Sequence, residues 1–413
     1  MTNRIHARYW LETGDDPYRA AEVIAGEQSS GTFLKLASET PALKQRSGAR
    51  LESLHVLETV AQPSLPGGMV SAKYTRCVLE LSWPLENTGP CLPSLLSTVA
   101  GNLFELAQVS GLKILDIRLP EAFASAYPGP AFGMEGTRRL SGVKSGPLIG
   151  TIIKPSVGLN ASETAEQVQL LVDGGIDFIK DDELQADGGY CPFNERLEKV
   201  MRVVNQASQK MGRQVMVAFN ITGELDHMRR RHDAVLAHQG TCVMVCVNSI
   251  GLTGLTALRQ HSALPIHAHR AGWGYLSRSP SLGWDFAAWQ KIWRLAGVDH
   301  LHVNGLRNKF SEPDDVVVAA ARSVVTPLFE SSPMKVVPVF SSAQTGLQAH
   351  ETYRALGHSD LIVTAGGGIF GHPDGVASGV AAFRQAWQAA EAGVPLSIYA
   401  QQHTELQRAL TFW

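Results

Sequence analysis

Little of this 413-residue chain is charged: 18% of it is Asp, Glu, Lys or Arg, and 38 acidic against 36 basic residues leave a formal net charge of −2. That balance excludes the strong positive field of a nucleic-acid or anionic-lipid binder, and a hydrophobic content of 44% excludes a disordered chain. No apolar run approaches the roughly 18 residues of a membrane span. The opening MTNRIHARYWLETGDD carries no apolar signal-peptide core. A cytoplasmic protein without a membrane or nucleic-acid partner is expected. Cysteine is scarce as well. Cys77, Cys91, Cys191, Cys242 and Cys246 are odd in number and scattered, which argues against a disulfide framework and fits a reducing compartment. Cys242 and Cys246 lie in TCVMVCVNS, where positions four apart on a strand share a face. With no Cys or His at zinc spacing, they read as sheet packing.

At roughly 100–200 residues per domain the length implies two or three domains. IHARYWLE, RLESLHVLE, YTRCVLELSW and LKILDIRLP read as strands, with DPYRAAEVIAGE and LPSLLSTVAGNLFELA helical between them. Four strands and two helices in this order predict an N-terminal α+β domain of ferredoxin-like type, residues 1–125. Tyr127 to Pro147 is rich in Gly and Pro and reads as a link. Beyond it come eight short apolar runs, each followed by a helical segment: LIGTIIKP, IDFIKDDE, QVMVAFNIT, TCVMVCVNS, LPIHAHR, DHLHVN, KVVPVFSS and DLIVTAGGG. Such runs suit parallel strands buried on both faces. Eight of them predict a (β/α)8 TIM barrel with a helical tail over residues 126–413. A doubly wound open sheet fits less well, because no GxGxxG follows the first strand.

Polar residues gather at the C-terminal ends of these strands: Lys154; Lys180, Asp182 and Glu183; His267, His269 and Arg270; His302; Ser341; Gly366, Gly367 and Gly368. In a barrel those ends meet at one mouth, where active sites form. Singly, a strand-end lysine is a solvated rim residue and a strand histidine a hydrogen-bonded structural group; their concentration over six strands is not explained that way. In Lys180-Asp181-Asp182-Glu183 the strand alternation puts Lys180 and Asp182 on one face, and the strand end turns Glu183 toward the same mouth. Two carboxylates suit Mg²⁺, a hard cation with oxygen ligands. The lysine beside them either forms a buried salt bridge with an aspartate or carries CO₂ as an anionic carbamate.

IIKPSVGLN, FIKDDE, HAHRAG, HVNG with Lys309 seven residues after His302, PVFSS and AGGGIFGHPDG resemble, in order, motifs of the RuBisCO large-subunit superfamily. GEQSSGTF and STVAGNLFELA extend the resemblance into the first domain. It implies that Lys180 is a carbamylated Mg²⁺ ligand beside Asp182 and Glu183, that Lys154 handles protons, and that His269 lies near the reacting carbons. Arg270, His302 and Ser341 would bind one end of a phosphorylated substrate, and Thr32, Lys309, Gly366, Gly367 and Gly368 the other. Glu27, Thr32 and Asn102 would serve the neighbouring subunit's site, which implies a homodimer or an assembly of dimers.

The departures are informative. Ser156 stands where carboxylating members have a second lysine, Phe33 where they have Trp, Trp273 where they have His, and Ser341-Ser342-Ala343 replaces their SGG. The chain is more similar to RuBisCO-like proteins, the fourth form, than to CO₂-fixing enzymes. Cationic residues at both ends of the expected site suit a substrate with both phosphate and carboxylate. A carbon–carbon lyase is therefore expected, forming an enediolate from 3-oxo-isoapionate 4-phosphate as a decarboxylase or transcarboxylase/hydrolase. The alternatives are the 2,3-diketo-5-methylthiopentyl-1-phosphate enolase of methionine salvage and a non-catalytic anion-binding member.

Overall fold

A computed structural model describes residues 3–413 apart from 33 and 35, so Phe33 lies outside the described residues. The thirteen strands in chain order are β1 (Arg4–Thr13), β2 (Arg50–Val60), β3 (Tyr74–Pro84), β4 (Gly111–Arg118), β5 (Leu148–Ile152), β6 (Phe178–Lys180), β7 (Met216–Asn220), β8 (Cys242–Cys246), β9 (Ile266–His269), β10 (Leu282–Trp284), β11 (His300–His302), β12 (Val337–Phe340) and β13 (Ile362–Thr364). Two compact units form. One comprises Met1–Pro128 with Gly272–Leu295 and Leu328–Pro333; the other comprises Gly129–Ala271, Ala296–Pro327 and Met334–Trp413.

The first unit is a five-stranded sheet of order β10-β4-β1-β3-β2, in which β1 runs antiparallel to both β3 and β4. Along β1, Ile5, Ala7, Tyr9 and Leu11 alternate and are fully buried, the period expected of a half-buried strand. All four expected strands are present; the fifth, β10, comes from far along the chain and pairs parallel to β4. The helix expected across LPSLLSTVAGNLFELA stops at Val99 and a short 3₁₀ turn, Asn102–Glu105, follows. Gly101 lies just past the stop, where a Cβ would be 2.3 Å from Ser97 O and 2.8 Å from the Gln28 amide, so only glycine fits there.

The second unit is a closed barrel, β11-β12-β13-β5-β6-β7-β8-β9, parallel throughout. All eight expected strands are present, shorter than the apolar runs containing them. Leu148, Phe178, Met216, Ala218, Cys242, Met244, Val337, Val339 and Ile362 pack as one cluster. They occupy alternate positions of six strands, so they fill the barrel interior. Tyr127–Pro147 is more than a link. It contains a helix, Gly133–Ser141, and Met134, Leu140 and Val143 pack against that interior cluster. Its two glycines and short length hide the helical period in the sequence. Asn160 and Glu163, three residues apart as a capping box requires, form one at the head of Ala161–Asp173.

Two buried aspartates at strand entrances tie the barrel together. Asp177 Oδ2 accepts from Ile149 N at 2.9 Å and pairs with Arg384 at 3.0 Å. Asp299, fully buried, accepts from Ile266 N at 2.9 Å and Phe132 N at 2.6 Å and pairs with Arg259 at 2.9 Å. Removing one partner of such a pair strands the other charge. Asp299→Ala should therefore cost about 3–5 kcal/mol of unfolding free energy; a loss below about 1 kcal/mol by urea titration would show that the pair is dispensable.

Candidate active site

Lys180 ends β6, and the two-residue period aims it into the barrel with Asp182 while Asp181 points outward. Asp181 Oδ2 accepts from Arg196 Nη2 at 3.1 Å and from Asn220 N at 3.0 Å, and Arg196 is itself fully buried. This outward ion pair pins the strand end. Asn220 Nδ2 donates to the carbonyls of Asp182 and Glu183, both at 3.1 Å, and fixes the turn that follows.

Inside, Lys180 is 1% exposed; its Nζ donates to Asp181 O at 2.7 Å and lies 3.6 Å from Glu183 Oε2. Burial lowers its pKa, against the raising effect of Glu183 and Asp182. Asp182 pairs instead with Lys154, whose Nζ donates to Asp182 Oδ2 at 2.7 Å and Ser156 Oγ at 2.8 Å. The simple Lys180–Asp182 salt bridge is therefore not what forms. Glu183 Oε2 also lies 3.5 Å from His269 Nε2. Since His269 Nδ1 accepts from Ala271 N at 3.2 Å, the ring proton sits on Nε2, facing that carboxylate.

Three buried histidines of β9 and β11, His267, His300 and His302, form a second layer. Thr137 Oγ1 donates to Gly133 O at 2.5 Å, so it can only accept from His300 Nε2 at 2.8 Å. Each following link is then fixed. His267 Nδ1 donates to His300 Nδ1 at 3.3 Å, His302 Nε2 donates to His267 Nε2 at 2.8 Å, and Ser341 Oγ donates to His302 Nδ1 at 3.0 Å. One directed chain of neutral imidazoles thus runs from the helix Gly133–Ser141 up to Ser341. Burial lowers the pKa of His267, His269 and His302 well below the usual histidine range and that of His300 to about 3.

Arg270, next to β9, is not an open cation. Its Nη2 lies 2.5 Å from Glu312 Oε2, to which Asn304 Nδ2 donates at 2.6 Å. Sequence reasoning missed Glu312, which sits in NKFSEPDD among acids that read as the start of the next helix. The cationic end expected there is neutralised. Lys309 is exposed in the 303–313 loop, its Nζ 5.4 Å from the centre of the Phe310 ring. Gly366, Gly367 and Gly368 follow β13. A Cβ at Gly366 would touch Lys154 Cγ at 3.6 Å, and one at Gly368 would meet Gln344 O at 2.4 Å, so only glycine fits the latter. Trp413 Nε1 donates to Gly368 O at 3.0 Å, a support with no signal in the sequence.

The remaining expected residues belong to the first unit. Glu27 and Asn102, with Gln28, Ser97 and Trp284, line a cavity of about 590 Å³. Thr32 lies just beyond, its hydroxyl on the Glu39 carboxylate and Leu34 O. Trp273 packs at 4.9 Å from Trp289 and 5.7 Å from Phe286 in an aromatic cluster of the same unit.

Among the described residues, one group of three His, Cys, Asp or Glu has its ligand atoms within 4.8 Å of one another: His232, Asp233 and His261, on outer helices of the barrel. Its hydrogen bonds are structural. Ala263 N donates to His232 Nε2 at 3.2 Å, so the ring proton sits on Nδ1 and donates to Asp233 Oδ1 at 2.9 Å. An ion at Nδ1 would force that proton onto Nε2, against the Ala263 N–H.

The fold and mouth define a two-domain barrel protein with acid, base and lysine groups gathered at the strand C-termini. Residues 7–123 match the ribulose bisphosphate carboxylase large chain N-terminal domain and 133–413 its catalytic domain. The chain belongs to the ribulose bisphosphate carboxylase large chain family. It is 66% identical, over the full length of both chains, to a 3-oxo-isoapionate-4-phosphate transcarboxylase/hydrolase of Xanthobacter autotrophicus. It is 44% identical to a 3-oxo-isoapionate-4-phosphate decarboxylase of Rhizobium etli, covering 97% of each chain. A rubisco-like protein from Burkholderia fungorum superposes with a TM-score of 0.94 at 44% identity, covering all of both chains. No helix among the described residues is long and apolar enough to cross a membrane.

The histidine chain sets a pH dependence. Its folded pKa values lie below the unfolded value of about 6.5, so below that pH the unfolded chain takes up protons that the folded chain refuses. Stability is full above about pH 6.5 and falls as pH is lowered, by up to about 1.4 kcal/mol per pH unit for each histidine. Urea midpoints should drop steadily from about pH 6.5 toward about pH 5; a level midpoint over that range would contradict a neutral chain.

Proposed function

We propose that this protein is a Mg²⁺-dependent lyase of 3-oxo-isoapionate 4-phosphate, of the transcarboxylase/hydrolase kind, and not a CO₂-fixing enzyme. The observation that carries this reading is the mouth in which Lys154, Lys180, Asp182, Glu183 and His269 converge, taken with 66% identity over the whole chain to a transcarboxylase/hydrolase. Identity to the decarboxylase is lower, at 44%.

The donor set fits Mg²⁺. Asp182 and Glu183 supply hard carboxylate oxygens, and burial keeps Lys180 toward the neutral amine, the form that adds to CO₂ and releases a proton to give a carbamate. Asp182, Glu183 and carbamylated Lys180 would hold the ion, which when bound supplies Lewis-acid stabilisation of negative charge on a substrate oxygen. The substrate is a β-keto acid. Breaking its carbon–carboxylate bond frees CO₂ and sends the electron pair toward the ketone oxygen, giving an enediolate; in the transcarboxylase/hydrolase reaction the CO₂ is then added to another carbon of the enediolate and water cleaves the product. Lys154, on a hydrogen bond to Asp182 and beside Gly366, is within reach to protonate the carbon so formed. His269 directs its Nε2 proton into the same space. His302 and Ser341 bind substrate hydroxyls, and Lys309 with Gly366, Gly367 and Gly368 takes the phosphate.

Glu27, Thr32 and Asn102 complete the site of a second copy, in a homodimer. Glu27 and Asn102 share the wall of one cavity of the first unit, which supports a common role for them.

Incubation with 3-oxo-isoapionate 4-phosphate and Mg²⁺, followed by NMR and a CO₂ assay, should show substrate consumed and the bond between its carboxylate carbon and C2 broken. Lys180→Ala should abolish turnover with the fold intact by circular dichroism, and Lys154→Ala should lower kcat by about 10²–10⁴-fold. No consumption, alongside rapid solvent-deuterium exchange into 2,3-diketo-5-methylthiopentyl 1-phosphate, would overturn the assignment. Mixing Asn102→Ala with Lys154→Ala chains should restore part of the activity through hybrid dimers; a fully active monomer by sedimentation would exclude shared sites.

A further inference from the structure

The Arg270 end of the barrel mouth holds a resident anion. Arg270 is 7% exposed, and its guanidinium faces the Glu312 carboxylate along both arms, Nη2 to Oε2 at 2.5 Å and Nη1 to Oε1 at 3.4 Å. This fork-to-fork geometry is also how a guanidinium grips a phosphate. The carboxylate therefore occupies the arrangement that a phosphate dianion would need.

Glu312 is held there from several sides. Asn304 Nδ2 donates to its Oε2 at 2.6 Å, and Asn308 Nδ2 braces the loop neck through Glu312 O at 3.1 Å and Gly305 O at 3.0 Å. Pro313 and the helix Asp314–Val325 follow at once, so the backbone has little slack. Nearby imidazoles do not restore positive charge. His302 accepts at Nδ1 from Ser341 and donates at Nε2 to His267, which is the neutral form. Among the described residues, this end offers the Ser341 oxygen, the Asn304 amide and the Arg270–Glu312 ion pair, partners for a hydroxyl rather than for a dianion.

We propose that Glu312 is a specificity-determining residue that keeps a second phosphate out of the barrel mouth, so that the site takes a sugar acid bearing one phosphate and refuses a sugar bisphosphate. This rests on the reading that substrate lies against Arg270. A terminal phosphate brought to Arg270 meets a like-charged carboxylate at hydrogen-bond range, and expelling Glu312 would sacrifice its bonds to Arg270 and Asn304. A substrate ending in a hydroxyl meets neither cost.

The test uses ribulose 1,5-bisphosphate and inorganic phosphate as probes, by calorimetry on the full-length protein with Mg²⁺. The wild type should bind the bisphosphate weakly, and Glu312→Gln at least tenfold more tightly, equivalent to about 1.4 kcal/mol. Glu312→Asp, which keeps the charge, should stay weak. Inorganic phosphate should bind at no more than one site per wild-type chain. Equal bisphosphate affinity in wild type and Glu312→Gln, or two phosphates per wild-type chain, would overturn the proposal; the second measurement needs no variant and decides if Glu312→Gln does not fold. Turnover of 3-oxo-isoapionate 4-phosphate by the same wild-type preparation separates the two readings. Turnover without a gain in bisphosphate binding removes the role of Glu312 alone, and a gain without turnover removes the proposed reaction alone.

Discussion

The two-residue period of a strand closed into a parallel barrel is the constraint on which the rest of this molecule depends. On β6 and the residue pair after it, that period sends Phe178, Lys180 and Asp182 inward and Asp181 outward to Arg196. A slip of one residue would bury Asp181 in the mouth and turn Lys180 toward the outer helices. The Asp181–Arg196 pair guards against that slip, because both groups are almost fully buried and each satisfies the other. The same period stacks Cys242 and Met244 over one another and leaves Ile362, Thr364 and Gly366 in a single column.

Within the barrel, apolar and polar layers divide by depth. The lower layer is the cluster around Phe178, Met216 and Val339, closed from beneath by Met134, Leu140 and Val143. Above it the interior turns polar without becoming unsatisfied. His267, His300 and His302 hand one hydrogen-bond direction from ring to ring, anchored at one end by Thr137 and ending on Ser341. A buried imidazole that is neutral costs far less than a charged one, and a chain of neutral rings can be satisfied at every nitrogen. This lets a polar wall reach the mouth through a dry core.

Charge at the mouth is paired rather than accumulated. Lys154 leans on Asp182, Lys180 and His269 on Glu183, and Arg270 on Glu312. Such pairs pre-orient long side chains whose rotamer freedom would otherwise be lost on binding. They also mean that counting cations along the chain overstates the positive field a substrate meets. The balance of charge at the mouth is set locally, by acids such as Glu312 that lie outside the strand-end clusters.

Much of this was legible in the residues alone. Eight apolar runs of strand length, six of them carrying polar residues or glycines at their C-terminal ends, specify a parallel barrel and its mouth, because local period and burial point the same way. All eight strands lie inside those runs, and the Asn160 capping box lies where its two residues sit. The helix Gly133–Ser141 was hidden, since glycines break its period and its apolar face is defined only by the barrel floor beneath it. Which cation meets which carboxylate was also beyond the sequence: spacing pairs Lys180 with Asp182, whereas the strand end brings Lys154 to Asp182 from another strand. Glu312 and Trp413 reach Arg270 and Gly368 across 42 and 45 residues of chain. Side chains that meet only through the closed barrel leave no periodic trace, and the fold alone decides them.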